Sequence, residues 1–276
     1  MSGPGICSIH THSLFCDGKN SLAEMAEAAF AAGVKYLGFS GHIHTPIPHD
    51  EGNVLPKGAV EYFAECRSLK KLYEGKMDIL IGLEWDSCSD EAVPEGLDYW
   101  IGSVHNLRDE KSGEYFSVDW QRESLIACRD RVFGGDIYAL VEAYYAELAR
   151  VAAMKPTVLG HIDLITKLNG DGSLFDENCP RYKAAALSAL AALDNGESLL
   201  EINTGAVARG YRTSPYPAPF ILEAWRERGG RVIITSDAHS AEGIVFGYDA
   251  ATELARQAGY RSCAILTSEG VAEIEI

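Results

Sequence analysis

Eight short apolar runs, separated by longer segments of helical spacing, set the tightest limit on what this chain can become. The runs are ICSI from Ile6, YLGF from Tyr36, ILIGL from Ile79, YWIGSV from Tyr99, TVLG from Thr157, LLEI from Leu199, VIIT from Val232 and CAIL from Cys263. They are short, apolar and often β-branched, the pattern of strands buried on both faces. Between them, SLAEMAEAAFAAG opens on Ser21, carries Glu24 three positions later and stops at Gly33, a capping box followed by a glycine stop. GDIYALVEAYYAELARVAAM, RYKAAALSALAAL and PFILEAWRERGG read the same way, the last opening on a proline. Repeated strand–helix units argue for a parallel sheet. Seven or eight of them in 276 residues argue for closure into a barrel rather than an open sheet. An open doubly wound sheet would call for a glycine-rich dinucleotide loop after the first run, and the sequence has none. The expectation is a single α/β domain over residues 1–276.

The histidines follow the same rhythm. Six of the eight lie within a few residues of the C-terminal end of an apolar run. His10 and His12 follow ICSI, His42 follows YLGF, His105 follows YWIGSV, His161 follows TVLG and His239 follows VIIT. Glu84 ends ILIGL, and Asp237 stands two residues before His239. In a barrel the C-terminal strand ends meet at one mouth, where catalytic residues sit. One histidine there is more often a partnered polar group than a ligand; six at one structural station point to a metal centre. On an extended chain residues i and i+2 project to the same side, so His10 and His12 can grip one ion, and SDAHS repeats that pairing with Asp237 and His239. Asp17, after a short turn, can reach a neighbouring ion.

Imidazole and carboxylate donors without thiolate suit zinc, manganese or iron. The donors are too many for one ion, so two to three divalent ions are expected. Clustered divalent ions clamp phosphoryl oxygens and acidify water. That matters because the formal net charge is −16. Such a surface repels nucleic acid and anionic membrane, and it repels an anionic substrate unless metal ions reverse the sign locally. No run approaches the length of a membrane helix, and the N-terminal MSGPGICSIH lacks a basic region followed by an apolar one. A cytoplasmic protein, monomeric or a small homo-oligomer, is the expectation. Seven cysteines with no C-x-x-C pair fit a reducing compartment. Cys7 and Cys263 read as small core residues. Cys16 is not expected as a ligand, because imidazole and oxygen donors surround it.

HTHSLFCDG, GFSGHIHTP, GLEWD, DYWIGSVHNL, LGHIDLITKLN, EINTGAVARG and SDAHS resemble, in order, the motifs of the PHP (polymerase and histidinol phosphatase) family. The resemblance runs from Ile9 to about Gly247, and GSVHNL, GHIDLITKL and EINTG are most similar to its histidinol-phosphatase branch. It implies a distorted (β/α)7 barrel of the TIM type with a trinuclear metal centre. Carried over, His10, His12, Glu84 and Asp237 hold the first ion; Glu84, His105 and His161 the second; Asp17, His42 and His239 the third. The family's usual acidic residue before the histidine of the second motif is here Gly41, which alters a contact behind the ligands.

The resemblance implies hydrolysis of a small phosphomonoester, L-histidinol phosphate first, with a hydroxide bridging two ions attacking phosphorus. Lys167, and Arg209 in preference to Arg212, are expected on the phosphate. His44 is expected to face the substrate, and His44 or Asp163 to supply the leaving-group proton. His49 is expected at the surface. The rivals are a phosphoesterase for a nucleotide or sugar phosphate, a metal-binding regulatory protein without turnover, and a single-metal amidohydrolase-type enzyme. The first would be told apart by substrate, the second by a missing ligand, the third by a metal-bridging lysine that is not found.

Overall fold

The computed structural model describes residues 6–276. The expected absence of a leader rests partly on residues 1–5, which lie outside the described residues. All eight apolar runs carry strands. In chain order the strands are β1 (Ile6–Ser8), β2 (Val34–Phe39), β3 (Asp78–Ile81), β4 (Glu84–Asp86), β5 (Ile101–Ser103), β6 (Asn106–Arg108), β7 (Tyr115–Ser117), β8 (Val158–Leu159), β9 (Leu199–Asn203), β10 (Arg231–Thr235), β11 (Ser262–Thr267) and β12 (Gly270–Glu275). The helices are α1 (Leu22–Ala31), α2 (Val60–Leu72), α3 (Arg122–Val132), α4 (Ile137–Ala153), α5 (Pro180–Ala192), α6 (Gly205–Ala208), α7 (Pro219–Glu227) and α8 (Tyr248–Gln257).

The local signals act as their chemistry requires. The Ser21 side chain accepts from the Glu24 backbone N–H, and the Glu24 side chain accepts from the Ser21 N–H, closing both ends of the capping box. Asp136 caps α4 by accepting from the N–H groups of Tyr138 and Ala139. Proline occupies the first turn of α5 and α7, where no backbone donor is needed. Helices α2, α3, α6 and α8, the β6–β7 hairpin and strand β12 are not among the segments expected from sequence. Helix α2 buries Tyr62, Cys66 and Leu69 along one face, and α3 only Leu125 and Cys128. Strand β12 is a mostly exposed antiparallel edge on β11.

The parallel α/β arrangement is present, but the ladders divide into two main sheets instead of one unbroken ring. One has the order β1-β2-β3 and the other β12-β11-β10-β9-β8-β5-β4; β6 and β7 form a separate hairpin. The division falls inside ILIGL, expected as one strand. It breaks at Gly82 and Leu83, so that β3 pairs with β2 while β4 pairs with β5. At the break the backbone packs closely on Tyr99: a Cβ on Gly82 would lie 2.5 Å from that ring. The two sheets are stitched at both seams by single bridges, Thr11 to Ala238 and His42 to Glu84. One seam joins two metal candidates, and the other lies between His10 and His12 on one side and Asp237 and His239 on the other. Apolar side chains fill the space between strands and helices, Trp225, Tyr62, Tyr99, Tyr144 and Tyr145 being the bulkiest buried examples. Cys7 and Cys263 are buried as expected.

Candidate metal centre

The eight donors expected from strand-end placement converge, together with Asp17, expected from its spacing. Their ligand atoms form four overlapping groups: His12, Asp17, His42 and His239; His10, His12 and Asp237; His10, Glu84 and His161; and His42, Glu84 and His105. Within each group the atoms lie within 4.8 Å of one another. His10 and His12 leave β1 with both rings buried and 5.2 Å apart. Glu84 is the first residue of β4 and faces five imidazoles. Its Oε1 lies 3.0 Å from His161 Nε2 and 3.4 Å from His105 Nε2, and its Oε2 lies 2.9 Å from His42 Nδ1. Asp17 closes the far side, 3.0 Å from His239 Nε2 and 3.6 Å from His42 Nε2.

One subset has the spacing of a metal site. His10 Nε2 is 3.2 Å from Glu84 Oε2 and 3.7 Å from Asp237 Oδ1; His12 Nε2 is 3.6 Å and 3.2 Å from the same two atoms. A tetrahedral site with bonds near 2.0–2.1 Å spaces its donors by roughly 3.3–3.5 Å. His10 Nε2, His12 Nε2 and Glu84 Oε2 are all buried without a hydrogen-bond partner. Buried polar atoms in that state are costly unless something else satisfies them, and a shared cation is the chemistry these donors fit.

Electrostatics point the same way. Burial alone would push the His10 and His42 rings down and the Glu84 carboxyl up. Charge wins instead: Glu201, Glu84 and Asp237 hold His10 well above its usual value, Glu84 and Asp17 do so for His42, and the imidazoles hold Glu84 well below its own. His105 is lifted to about 10, burial being outweighed by Glu84 and Asp86, while burial beside His239 and His42 drops His12 to about 3. The cluster draws positive charge inward, so metal ions must displace protons to enter.

A second layer, not foreseen from sequence, aims these rings. Glu201 in β9 is fully buried and bonds His10 Nδ1, turning Nε2 toward Glu84; it also accepts from the His161 N–H at 2.6 Å, the Thr235 hydroxyl at 2.6 Å and the Asn203 amide at 3.0 Å. Asp86 bonds His105 Nδ1 at 2.9 Å, turning its Nε2 the same way, and Ser103 donates to Glu84 Oε1 at 2.6 Å. Carboxylate behind histidine is the usual means of fixing ring tautomer and orientation. The available signals were a carboxylate inside the apolar run LLEI and a second one two residues after Glu84. Asp237 adopts a left-handed backbone, φ 48°, and Gly205 lies so close that a Cβ there would be 2.5 Å from Asp237 Oδ2. At Gly41 an added side chain would press Leu55 at 3.1 Å. Cys16 stands outside all four groups, its Sγ 3.6 Å from His12 Nδ1.

The substrate-side expectations divide. Lys167 and Arg209 both line the cavity over the donors. Lys167 Nζ is 2.8 Å from Asp119, and the Arg209 guanidinium contacts Asp237 Oδ2 at 2.9 Å and His239 Nδ1 at 2.6 Å. Burial would raise Asp119, but the charges of Lys167 and His105 bring it down to about 2. Arg212 instead pairs with Glu177. His44 does not line the cavity, although His42, Ile43 and Thr45 do; it pairs with Asp90, 2.9 Å away. His49, expected at the surface, is the one that lines the cavity. Asp163 also departs from expectation. It does not line the cavity; its Oδ2 accepts from the Ala218 N–H at 2.8 Å, as the chain turns into a 3-10 helix over Leu164–Asn169.

Burial lifts the Asp163 carboxyl to about 6 from 3.8. The folded state holds its proton longer than the unfolded one, so stability falls as pH rises from about 4 to 6 and is flat above. The difference corresponds to about 3 kcal/mol. Asp163→Asn is therefore expected to stabilise the fold by about 2–3 kcal/mol at pH 7.5 and by much less at pH 4.5. Denaturant unfolding at both pH values checks it; an equal effect at both would refute the assignment.

Residues 8–205 match the PHP domain family. The chain is 31% identical over 274 residues to a protein of Deinococcus radiodurans named as a probable histidinol-phosphatase, covering 94% of this chain and 95% of that one. It is 28% identical over 271 residues to a histidinol-phosphatase of Bacillus subtilis, covering 88% and 97%. Among solved structures its fold is similar to histidinol phosphate phosphatase from Lactococcus lactis, complexed with zinc, L-histidinol and phosphate. That match has a TM-score of 0.63 and 20% identity over 96% of this chain and 98% of the other.

Proposed function

The chain belongs to the PHP domain family, and on that footing we propose that it is a metal-dependent phosphomonoesterase that converts L-histidinol phosphate to L-histidinol and phosphate. The observation that carries the reading is the set of buried, unpartnered donor atoms converging on Glu84. The names of the two relatives support the substrate. His10, His12, Glu84 and Asp237 would hold one ion, Glu84 with His105 and His161 a second, and Asp17 with His42 and His239 a third. Two to three ions of zinc, manganese or iron suit these donors. Divalent ions supply charge for phosphoryl oxygens and acidify water near neutral pH. In the same reading the two stitched sheets are a distorted (β/α)7 barrel forming one phosphoesterase domain, which the bridges at both seams support.

The chain's own residues prepare the site. Glu201 and Asp86 keep the Nε2 atoms of His10 and His105 aimed inward. Lys167 and Arg209 bring cationic donors to the cavity wall, where a phosphate would exchange for their present partners Asp119 and Asp237. His44 and Asp163 do not line the cavity, so neither is assigned the leaving-group proton. The net charge of −16 favours a small molecule over nucleic acid or anionic membrane. No helix of the described residues is long and apolar enough to cross a membrane. We read the protein as a cytoplasmic monomer or small homo-oligomer.

Phosphate release from L-histidinol phosphate by metal-replete protein, with ions per chain measured on the same sample, tests the reading. Steady turnover is expected. Turnover of a nucleotide or sugar phosphate in its place would move the substrate, and no release from any ester at two or more ions per chain would remove the enzymatic reading.

A further inference from the structure

A cavity of about 280 Å3 continues outward from Asp17, His42 and His105 to a wall that includes Asp50, Asn106, Trp120 and Tyr211. The phosphate chemistry above leaves that wall unused. Its carboxylate differs from the others facing the cavity. Asp17 meets His42 and His239, Asp86 holds His105, and Asp119 is paired with Lys167. Asp50, among the described residues, has no lysine or arginine within 4.0 Å. Its Oδ2 accepts from the Thr45 hydroxyl at 2.7 Å and the Asn106 amide at 3.5 Å; its Oδ1 has His49 Nε2 at 3.7 Å. A carboxylate fixed by neutral donors is left available to a cation from outside.

Two aromatic side chains line the same cavity with much of their surface in water, Trp120 58% and Tyr211 44% exposed. The His49 ring lies parallel to the indole, 5.8 Å away at 8°. Lys167 sits 5.0 Å from the Tyr211 ring centre. Exposed aromatic faces at a cavity mouth gain by covering a flat ligand. We propose that this wall recognises the leaving alcohol: Asp50 pairs with its cationic nitrogen, ammonium or imidazolium, while Trp120 and Tyr211 cover its planar ring. The inference rests on the phosphomonoesterase reading and adds that Asp50 and Trp120 set the preference for a flat, cationic alcohol.

The test is L-histidinol binding to metal-loaded protein by calorimetry, beside kcat/KM for L-histidinol phosphate and for p-nitrophenyl phosphate. Asp50→Asn is expected to weaken histidinol binding about 10- to 100-fold, the loss of one charge-assisted hydrogen bond. The ratio of kcat/KM for histidinol phosphate to that for the nitrophenyl ester falls by a similar factor, through KM. Trp120→Ala, made on an exposed side chain, is expected to weaken binding about 5- to 10-fold. Unchanged histidinol binding in both variants overturns the inference. So does an equal loss on both esters, which a folding defect or a lost ion would give. If the wild-type protein cleaves neither ester, the phosphatase reading fails on its own, and the binding measurement still decides whether the wall takes the alcohol.

Discussion

Glu84→Gln is expected to lower kcat by about 10³- to 10⁴-fold, equivalent to roughly 4–5.5 kcal/mol in the barrier. Glutamine matches the shape of glutamate, so the fold has little reason to change. The charge and one acceptor oxygen are lost. Glu84 is 1% exposed and faces His10, His12, His42, His105 and His161 at 2.9–3.6 Å. An amide there presents a donor to rings that need an acceptor, and it cannot bridge two cations. Ions per chain should fall by at least one. Turnover and metal content measured together check this; near-normal kcat at full metal content would sink the bridging assignment.

Glu201→Ala is expected to destabilise the protein by about 3–5 kcal/mol, the usual cost of removing one partner from a buried charged network. For a chain of this size that corresponds to a Tm lower by about 10 °C. Glu201 receives four hydrogen bonds in a fully buried position, from His10, His161, Thr235 and Asn203. Alanine strands all four donors and frees the His10 ring to rotate. Glu201→Gln keeps an acceptor and should fall between. Thermal unfolding without added metal isolates the structural effect; a Tm change below about 2 °C would show that water replaces the carboxylate at little cost.

The clustering of the candidate donors was legible because a strand end is a place both in the sequence and in space. Each of the nine stands just after an apolar run or one turn beyond it, and the parallel arrangement carries them all to one side. What lies behind them was harder to read. Glu201 is an acidic residue in the middle of a buried strand, and its partners are distant in the chain, His10 by 191 positions. The His44 and His49 expectations exchanged places because HIHTPIPH has no periodicity to say which side faces inward. Asp163 follows a ligand by two residues, yet the chain turns into a tight helix there and carries it away. The break in ILIGL falls where Gly82 packs on the Tyr99 ring, a contact that no local pattern announces.

That break has a bearing on biosynthesis. Glu84 begins the strand immediately after the joint between the two sheets. Its surroundings are shared: His10, His12 and His42 follow strands of the first sheet, whereas His105, His161 and Asp237 belong to the second. Neither sheet alone assembles the full donor set, and the bridge from Thr11 to Ala238 ties the first residues of the site to nearly the last. A growing chain cannot complete the cluster until His239 has left the ribosome. Full ion loading thus reports that synthesis and sheet docking have both finished, and truncated chains are expected to be metal-poor whatever the ions available to them.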